Sequence, residues 1–182
     1  GGASIKDAAG VKNVAEVLRI TNEKNLVIVV SAMGKTTNLL EKVIAEYLND
    51  DSTKCKEYVS EFKEYHLEIL KGLFENPNHP VYQNISELFD KMASFLDGNK
   101  SKNHAFVYDQ VVSFGEMVSS TIVSVYLSEI GKKNEFLDVR KCIKTDANYR
   151  DANVDWESTQ KNILKKVNTN NITITQGFLG SE

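Results

Sequence analysis

Apolar residues recur at helical spacing in several stretches of the chain, and short β-branched runs lie between these stretches. The spacing predicts helices, and the runs predict strands. The predicted helices cover residues 7–22, 36–49, 108–130 and 158–167, and the predicted strands cover residues 26–30, 135–139 and 171–176. Because helices separate the strands, we predict an α/β fold with a mostly parallel sheet that helices cover on both faces. The all-apolar run at 26–30 is expected to be a buried central strand.

Residues 54–97 show a different pattern, in which two apolar stripes are separated by a proline-containing segment at 76–80. Each proline disfavours helix at the residue before it, so we predict two helices joined as an αα-hairpin. We expect this hairpin to be inserted within one domain that spans residues 1–182. A non-catalytic helical scaffold built on the hairpin is one alternative function. Its partner binding would be unchanged when Thr37 and Glu116 are replaced.

The overall composition excludes several classes of partner. The 182 residues include 22 basic and 25 acidic side chains, for a net charge of -3, which provides no general attraction to nucleic acid or anionic lipid. No apolar run approaches the roughly 20 residues that cross a bilayer, so we expect no membrane partner. Cys55 and Cys142 are far apart and predict neither a disulfide framework nor a sulfur-rich metal site. We therefore expect no resident metal site and a cytoplasmic location.

The segment 29–38 joins a strand, a loop of small residues and the start of a helix. Such a junction exposes backbone N–H groups and the positive end of the helix dipole, which suits an anion. The tripeptide Gly34-Lys35-Thr36 resembles part of a P-loop, but that motif needs a glycine where this chain has Val29 inside the strand. A P-loop-like nucleotide-binding domain is thus a second alternative. Simple capping of the helix by Thr36 or Thr37 is a third.

Two further segments are candidates for binding charged groups. The run Gly1-Gly2-Ala3-Ser4 precedes the first helix and resembles an anion-binding loop, although two glycines at this place are equally compatible with a remnant of cloning. Glu116 lies in the long helix beside Gly115 and Ser119, whose small side chains leave room for an approaching group. This glutamate is a candidate for binding an ammonium group, and a solvated helix carboxylate is the alternative.

Other polar residues have structural explanations at least as good as functional ones. Asp138 and Arg140 follow a strand at the edge where a parallel sheet binds ligands, but they are equally compatible with a pair that closes a loop. The histidines have no metal-ligand spacing. His66 lies on an apolar stripe and is predicted to be a core residue.

Five segments together resemble the aspartokinases in order and spacing, and that resemblance spans essentially the whole chain. They are Gly1-Gly2-Ala3-Ser4, residues 29–40, residues 113–117, residues 136–140 and residues 174–180. The chain looks like the N-terminal part of an aspartokinase catalytic domain, which has the amino-acid kinase fold. Only the hairpin at 54–97 carries no recognisable signature.

The resemblance implies a function and assigns roles to residues. Aspartokinases use ATP and Mg²⁺ to phosphorylate the side-chain carboxylate of L-aspartate, which gives 4-phospho-L-aspartate for lysine, threonine and methionine synthesis. Gly1, Gly2 and Ser4 match the family's phosphate-binding glycine loop, whereas Ala3 replaces a commoner threonine. The remaining matches are to the aspartate pocket, and they comprise Ser31, Thr37, Glu116 and Phe178. In this pocket Glu116 would receive the substrate ammonium.

The resemblance also implies what the whole protein contains beyond this sequence. The family lysine would lie before Gly1, and the later adenine-binding segment and the regulatory ACT domains would follow residue 182. We therefore expect the 182-residue piece to be inactive by itself. The full-length protein is expected to be a homo-oligomer.

Overall fold

The computed structural model describes residues 1–168 and 170–182, and within them three parallel strands form one sheet. The strands are β1 (Leu26–Val30), β2 (Asn134–Leu137) and β3 (Ile172–Gln176), in the spatial order β1-β3-β2. Ile174 of β3 pairs with Ile28 on one side and with Phe136 on the other. The predicted α/β class and the predicted parallel pairing of these strands are confirmed.

The described residues form six α-helices and two short 3-10 turns. The helices are α1 (Ala8–Thr21), α2 (Thr36–Leu48), α3 (Ser52–Leu73), α4 (Pro80–Gly98), α5 (His104–Glu129) and α6 (Trp156–Lys166), and the turns are Gly2–Ile5 and Val139–Lys141. Side-chain caps explain where several helices start: the carboxylate of Asp7 accepts from the backbone N–H of Gly10. Asn103 accepts from Phe106 N–H in the same way, so α5 begins four residues before the predicted start at 108.

The two faces of the sheet have different surroundings. Helix α5 packs on one face, where Ile174 is fully buried. On the other face Ile163 of α6 and Val167, the residue after this helix, line the wall of a cleft. Val27 and Val29 on the same face remain 54% and 59% exposed. The expectation that 26–30 is a buried central strand is wrong for the described chain: β3 is central and β1 is an edge strand. The all-apolar composition of β1 predicts that both of its faces are buried. Side chains alternate between the two faces of a strand, however, and only one face of β1 is packed here.

The predicted pair of helices at 54–97 forms as α3 and α4, with the connection at the prolines. The two helices pack mainly on other elements rather than on each other, because α3 lies along α2 and α4 lies along α5. Both contribute to a common hydrophobic core, through fully buried side chains that include Phe62 and Met92. This insertion is therefore an integral part of the domain.

Helix α5 runs through the centre of this core. By length and composition alone it is apolar enough to cross a membrane, which the sequence pattern did not lead us to expect. However, 72% of its most apolar stretch is buried inside the protein. The apolar character of α5 is thus accounted for by its position as the core helix.

Candidate active site

Two loops that are far apart in sequence meet at the carboxyl end of β1. The first is the glycine loop, residues 1–6, and the second is the junction loop, residues 31–35, between β1 and α2. The backbone N–H of Gly34 donates to the carbonyl oxygen of Gly2, with an N–O distance of 2.9 Å. A Cβ atom on Gly2 would overlap the carbonyl oxygen of Ala32, whereas nothing lies within 4 Å of a Cβ on Gly1. The close approach of the two loops therefore explains why position 2 is a glycine.

The junction loop does not have the form of a P-loop. Val29 belongs to β1 and pairs with Thr175, so the position of the first P-loop glycine lies within the strand. The Gly34 N–H, which a phosphate-binding loop would leave free, is bonded to Gly2. A P-loop of the usual length is therefore excluded.

The two threonines at the start of α2 differ in their surroundings. The hydroxyl of Thr36 is buried and donates to the carbonyl oxygen of Met33, and the N-cap residue of α2, Lys35, makes no side-chain cap hydrogen bond. Thr37 is half-buried, as is Ser31, and within the described chain neither hydroxyl has a protein hydrogen-bond partner. Helix capping thus does not explain Thr37, and both hydroxyls stay available at the loop that carries the candidate site.

Glu116 is a buried carboxylate on the face of α5 that meets the junction loop. Glu116 is only 6% exposed, and the backbone N–H of Ala32 lies near its carboxyl group. One oxygen, Oε2, is buried and has no partner among the described residues. Burial raises the pKa of the Glu116 carboxyl, and the Ala32 N–H opposes this only in part. The alternative of a solvated helix carboxylate is wrong.

The space beside Gly115 is filled by protein. A Cβ on Gly115 would lie 3.1 Å from Leu40 Cδ1 and 3.2 Å from the Cβ of Ala32, so this glycine lets α5 approach α2 and the junction loop. Ser119 and Ser120 are fully buried and donate to the Glu116 backbone carbonyl oxygen, at 3.1 and 2.7 Å. The expectation that Gly115 leaves room for an approaching group is wrong, because Leu40 and Ala32 already occupy that room.

Phe178 lies at the exposed end of β3. It has a positive φ of 67° and is 74% exposed. Together with Gln176 and Gly177 it lines a cleft of 860 Å³ whose wall does not include Ser31, Thr37 or Glu116. The N–H of the neighbouring Gly177 donates to the carbonyl oxygen of Val30, at 3.5 Å, so the segment that carries Phe178 runs beside the start of the junction loop. The structure therefore brings the glycine loop, the junction loop and Glu116 together, and Phe178 follows β3 at the cleft that borders them.

The remaining sequence candidates have structural roles. Arg140 forms a two-pronged ion pair with Asp138, with N–O distances of 2.9 and 2.7 Å, so this pair closes the loop after β2. The guanidinium lowers the pKa of the Asp138 carboxyl against the opposing effect of burial. His66 is fully buried, as predicted, and its Nδ1 donates to the carbonyl oxygen of Phe62 at 2.8 Å.

Two groups of the site carry no signal in the sequence. The backbone N–H of Ala32 lowers the pKa of the Glu116 carboxyl, and the hydroxyl of Tyr65 on α3 donates to the carbonyl oxygen of Lys6. An alanine's backbone donor has no distinctive side chain, and Tyr65 is 59 residues from its acceptor. Local patterns therefore do not reveal either one.

Known proteins resemble this chain over its whole length. Residues 1–182 match the amino acid kinase family. Aspartokinase 1, chloroplastic, of Arabidopsis thaliana is 31% identical over 193 residues, covering 99% of this chain and 32% of that protein. Lysine-sensitive aspartokinase 3 of Escherichia coli (strain K12) is 26% identical and covers 100% of this chain and 40% of that protein. The chain thus spans about a third of the Arabidopsis relative and less than half of the bacterial one.

The fold is also shared with a solved structure. The crystal structure of Escherichia coli aspartokinase III in complex with aspartate and ADP (R-state) matches all of this chain with a TM-score of 0.86 and 25% sequence identity. The matched region is 40% of that chain. Because the family match covers every residue and the fold agrees with it, this chain belongs to the amino acid kinase family and is similar to the aspartokinases.

Proposed function

We propose that the protein containing this chain transfers the γ-phosphoryl group of ATP to the side-chain carboxylate of L-aspartate, forming 4-phospho-L-aspartate and ADP. This reaction would be the first step of lysine, threonine and methionine synthesis. The observation that carries the proposal is the buried Glu116 carboxylate with one unpartnered oxygen, located where the glycine loop and the junction loop meet.

Glu116 is suited to bind the α-ammonium group of an amino acid. An ionised carboxylate only accepts hydrogen bonds, and an ammonium group only donates them. The buried Oε2 lacks a donor, so a bound cation would remove the cost of keeping this oxygen desolvated. The hydroxyls of Ser31 and Thr37 are donors for a carboxylate of the same substrate. Such a clamp would hold the substrate in a fixed orientation, which is a main source of rate enhancement in phosphoryl transfer.

The glycine loop fits the phosphate end of ATP. Gly1 is open, Gly2 is at a position where a side chain would collide with Ala32, and helix α1 starts shortly after this loop. ATP, when bound, supplies the phosphoryl group. In the described part of the chain no group of three or more His, Cys, Asp or Glu side chains is placed to hold a metal ion. Mg²⁺ in such sites is usually held by one or two carboxylates together with substrate phosphates and water, so bound ATP would supply part of its coordination.

The test is the kinetics of the full-length protein with Glu116 replaced. Glu116→Ala removes a charge-assisted hydrogen bond worth roughly 1.5–3 kcal/mol, so kcat/KM for aspartate should fall by about 10- to 150-fold. The KM for ATP should change little. Aspartyl hydroxamate formation measures the rate, and circular dichroism checks that the variant is folded.

Glu129→Ala is the matched control, because Glu129 is on the same helix but is exposed and pairs with His79. It should keep the wild-type kcat/KM. A Glu116→Ala enzyme within about twofold of wild type, a difference of about 0.4 kcal/mol, would contradict the proposed role of Glu116. Absence of aspartate-dependent turnover in the wild type would contradict the proposed reaction and favour the scaffold alternative.

A further inference from the structure

Helix α3, which carries no aspartokinase signature, reaches both loops of the candidate site. The hydroxyl of Tyr65 donates to the carbonyl oxygen of Lys6 in the glycine loop. The same hydroxyl borders the junction loop, since a Cβ built on Gly34 would lie 2.5 Å from it. One side-chain oxygen thus touches the two loops at once.

The position of Tyr65 is determined by packing on both sides of its helix. Two turns further along α3, a Cβ on Gly72 would lie 2.7 Å from the Cβ of Ala8, so α3 and the start of α1 are in close contact. The ring of Tyr65 packs edge-on against buried His66, with centroids 5.1 Å apart. Burial raises the pKa of the Tyr65 hydroxyl, and nearby Asp7 adds to this effect, so the hydroxyl remains a donor at neutral pH.

We propose that Tyr65 is a positioning residue, whose hydroxyl holds the glycine loop and the junction loop in the relative arrangement that phosphoryl transfer needs. Its part in catalysis rests on the proposed function, whereas the contact between the loops does not. The inserted helices therefore have a role at the site, which is to orient the loops that meet the phosphates and the substrate. Tyr65 itself touches neither reacting group.

The mechanism follows from the hydrogen bonds around Tyr65. The Gly34 N–H to Gly2 bond is the direct backbone link between the loops, and Tyr65 adds a second link through Lys6. Removing the hydroxyl leaves the Lys6 carbonyl without this donor and opens space beside Gly34. The glycine loop should then move more freely, because less of its geometry is determined by its neighbours.

The first experiment compares Tyr65→Phe with Tyr82→Phe in the full-length protein. Tyr82 is the matched control: it lies on the other inserted helix, and its hydroxyl also donates to a backbone carbonyl, that of Phe74 at 3.3 Å. Hydrogen exchange of the amides of Ser4 and Gly34 should quicken by about 2- to 12-fold in Tyr65→Phe, as expected for the loss of one hydrogen bond. Tyr82→Phe should leave these amides at the wild-type rate.

Enzyme kinetics then test whether Tyr65 contributes to phosphoryl transfer. In Tyr65→Phe, kcat/KM for ATP should fall by about 2- to 12-fold, with a rise in KM for ATP. A merely destabilised enzyme would lose active molecules and so lower kcat, but its KM would be unchanged. Tyr82→Phe should show neither change.

A double-mutant cycle tests the contact with Gly34. Gly34 has a φ of +57°, so Gly34→Ala is strained in any background, and in the wild type the new methyl would also meet the Tyr65 hydroxyl. Gly34→Ala should therefore lower the urea midpoint less in the Tyr65→Phe background than in the wild type. In the Tyr82→Phe background it should lower the midpoint as much as in the wild type.

The proposal is overturned if loop exchange in Tyr65→Phe equals that in Tyr82→Phe, or if the two variants have the same kcat/KM and KM for ATP. If Gly34→Ala lowers the urea midpoint equally in the wild type and in the Tyr65→Phe background, the proposed contact between Tyr65 and Gly34 is also overturned. If the wild type does not phosphorylate aspartate, the proposed function fails, and the exchange and double-mutant results still decide whether Tyr65 holds the loops together.

Discussion

Glu116 combines two properties that stability alone would not favour, namely burial and an oxygen without a partner. The residue is 6% exposed, and among the described residues the nearby Ala32 N–H offsets only part of the loss of its hydration. A group of this kind is costly in the folded state, and ligand-binding sites are where such costs are commonly found.

The pH dependence of stability should show that cost. Because the folded-state pKa of Glu116 is raised above its unfolded value, the ionised group destabilises the fold above about pH 4.5, and this penalty disappears as pH falls below that value. Glu116→Gln should therefore raise the free energy of unfolding at pH 7 while weakening aspartate binding. Urea titrations from pH 4 to pH 8 measure this gain, which should shrink toward acid pH. A gain that does not depend on pH would contradict the prediction.

The two glycines at the start of the glycine loop should respond differently to the same substitution. Gly2→Ala places a methyl group against the backbone oxygen of Ala32, which has no flexible side chain to move away, so the bond from Gly34 to Gly2 should be disrupted. We expect a loss of about 1–3 kcal/mol in the free energy of unfolding. Gly1→Ala meets open space and should change this free energy by less than about 0.5 kcal/mol. Equal effects in urea titrations would show that the loops do not meet in this way.

At the scale of the element, α3 contributes both to the core and to the site. Its inner face carries Phe62, His66 and Leu70, all fully buried, and Tyr65 projects from the same helix toward the loops. Phe62 and His66 lie one helical turn apart with ring centroids at 4.5 Å. The Nε2 of His66 is buried without a partner in the described structure, so protonation there would place an unpaired charge in the core.

His66 should make the fold sensitive to mild acid. Burial lowers its pKa to about 4, whereas the unfolded value is about 6.5, so the unfolded state binds this proton at a higher pH than the folded state does. Stability is therefore lost as pH falls from 6.5 toward 4, and the His66 contribution amounts to about 2 kcal/mol between pH 7 and pH 5. Urea titrations should show this loss in the wild type and lack it in His66→Phe. His104→Phe, at an exposed histidine, should behave as the wild type.

At the scale of the whole molecule, a single core joins α1–α5 to one face of the sheet. The opposite face is only partly covered by α6, and it forms one wall of the 860 Å³ cleft that Phe178 lines. The exposed Val27 and Val29 lie on that wall. The two faces of the same three strands thus differ in how much apolar surface they bury.

Matched substitutions on the two faces of the 182-residue chain should measure this difference. Ile174→Thr puts a hydroxyl into the fully buried face and should cost about 2 kcal/mol or more. Val29→Thr changes a residue that is 59% exposed and should change the free energy of unfolding by less than about 0.5 kcal/mol. Chemical denaturation gives both values, and a similar cost at the two positions would show that both faces are packed.

The sequence by itself determined the type and order of the elements. The helices, the strands and their parallel direction follow from apolar periodicity, prolines and caps within about ten residues of each other. The core position of His66 followed from its place on an apolar stripe, and the family followed from the order of five short segments. These features are local, so the amino-acid pattern encodes them directly.

Only the tertiary structure decided how these elements meet. It placed β1 at the edge of the sheet, filled the space beside Gly115 with Leu40, and set Phe178 in a cleft at the end of β3. It also brought the Tyr65 hydroxyl to the glycine loop across 59 residues of chain. These outcomes depend on which of several apolar faces pack together. Packing energy is shared among many contacts distant in sequence, so no local pattern specifies it.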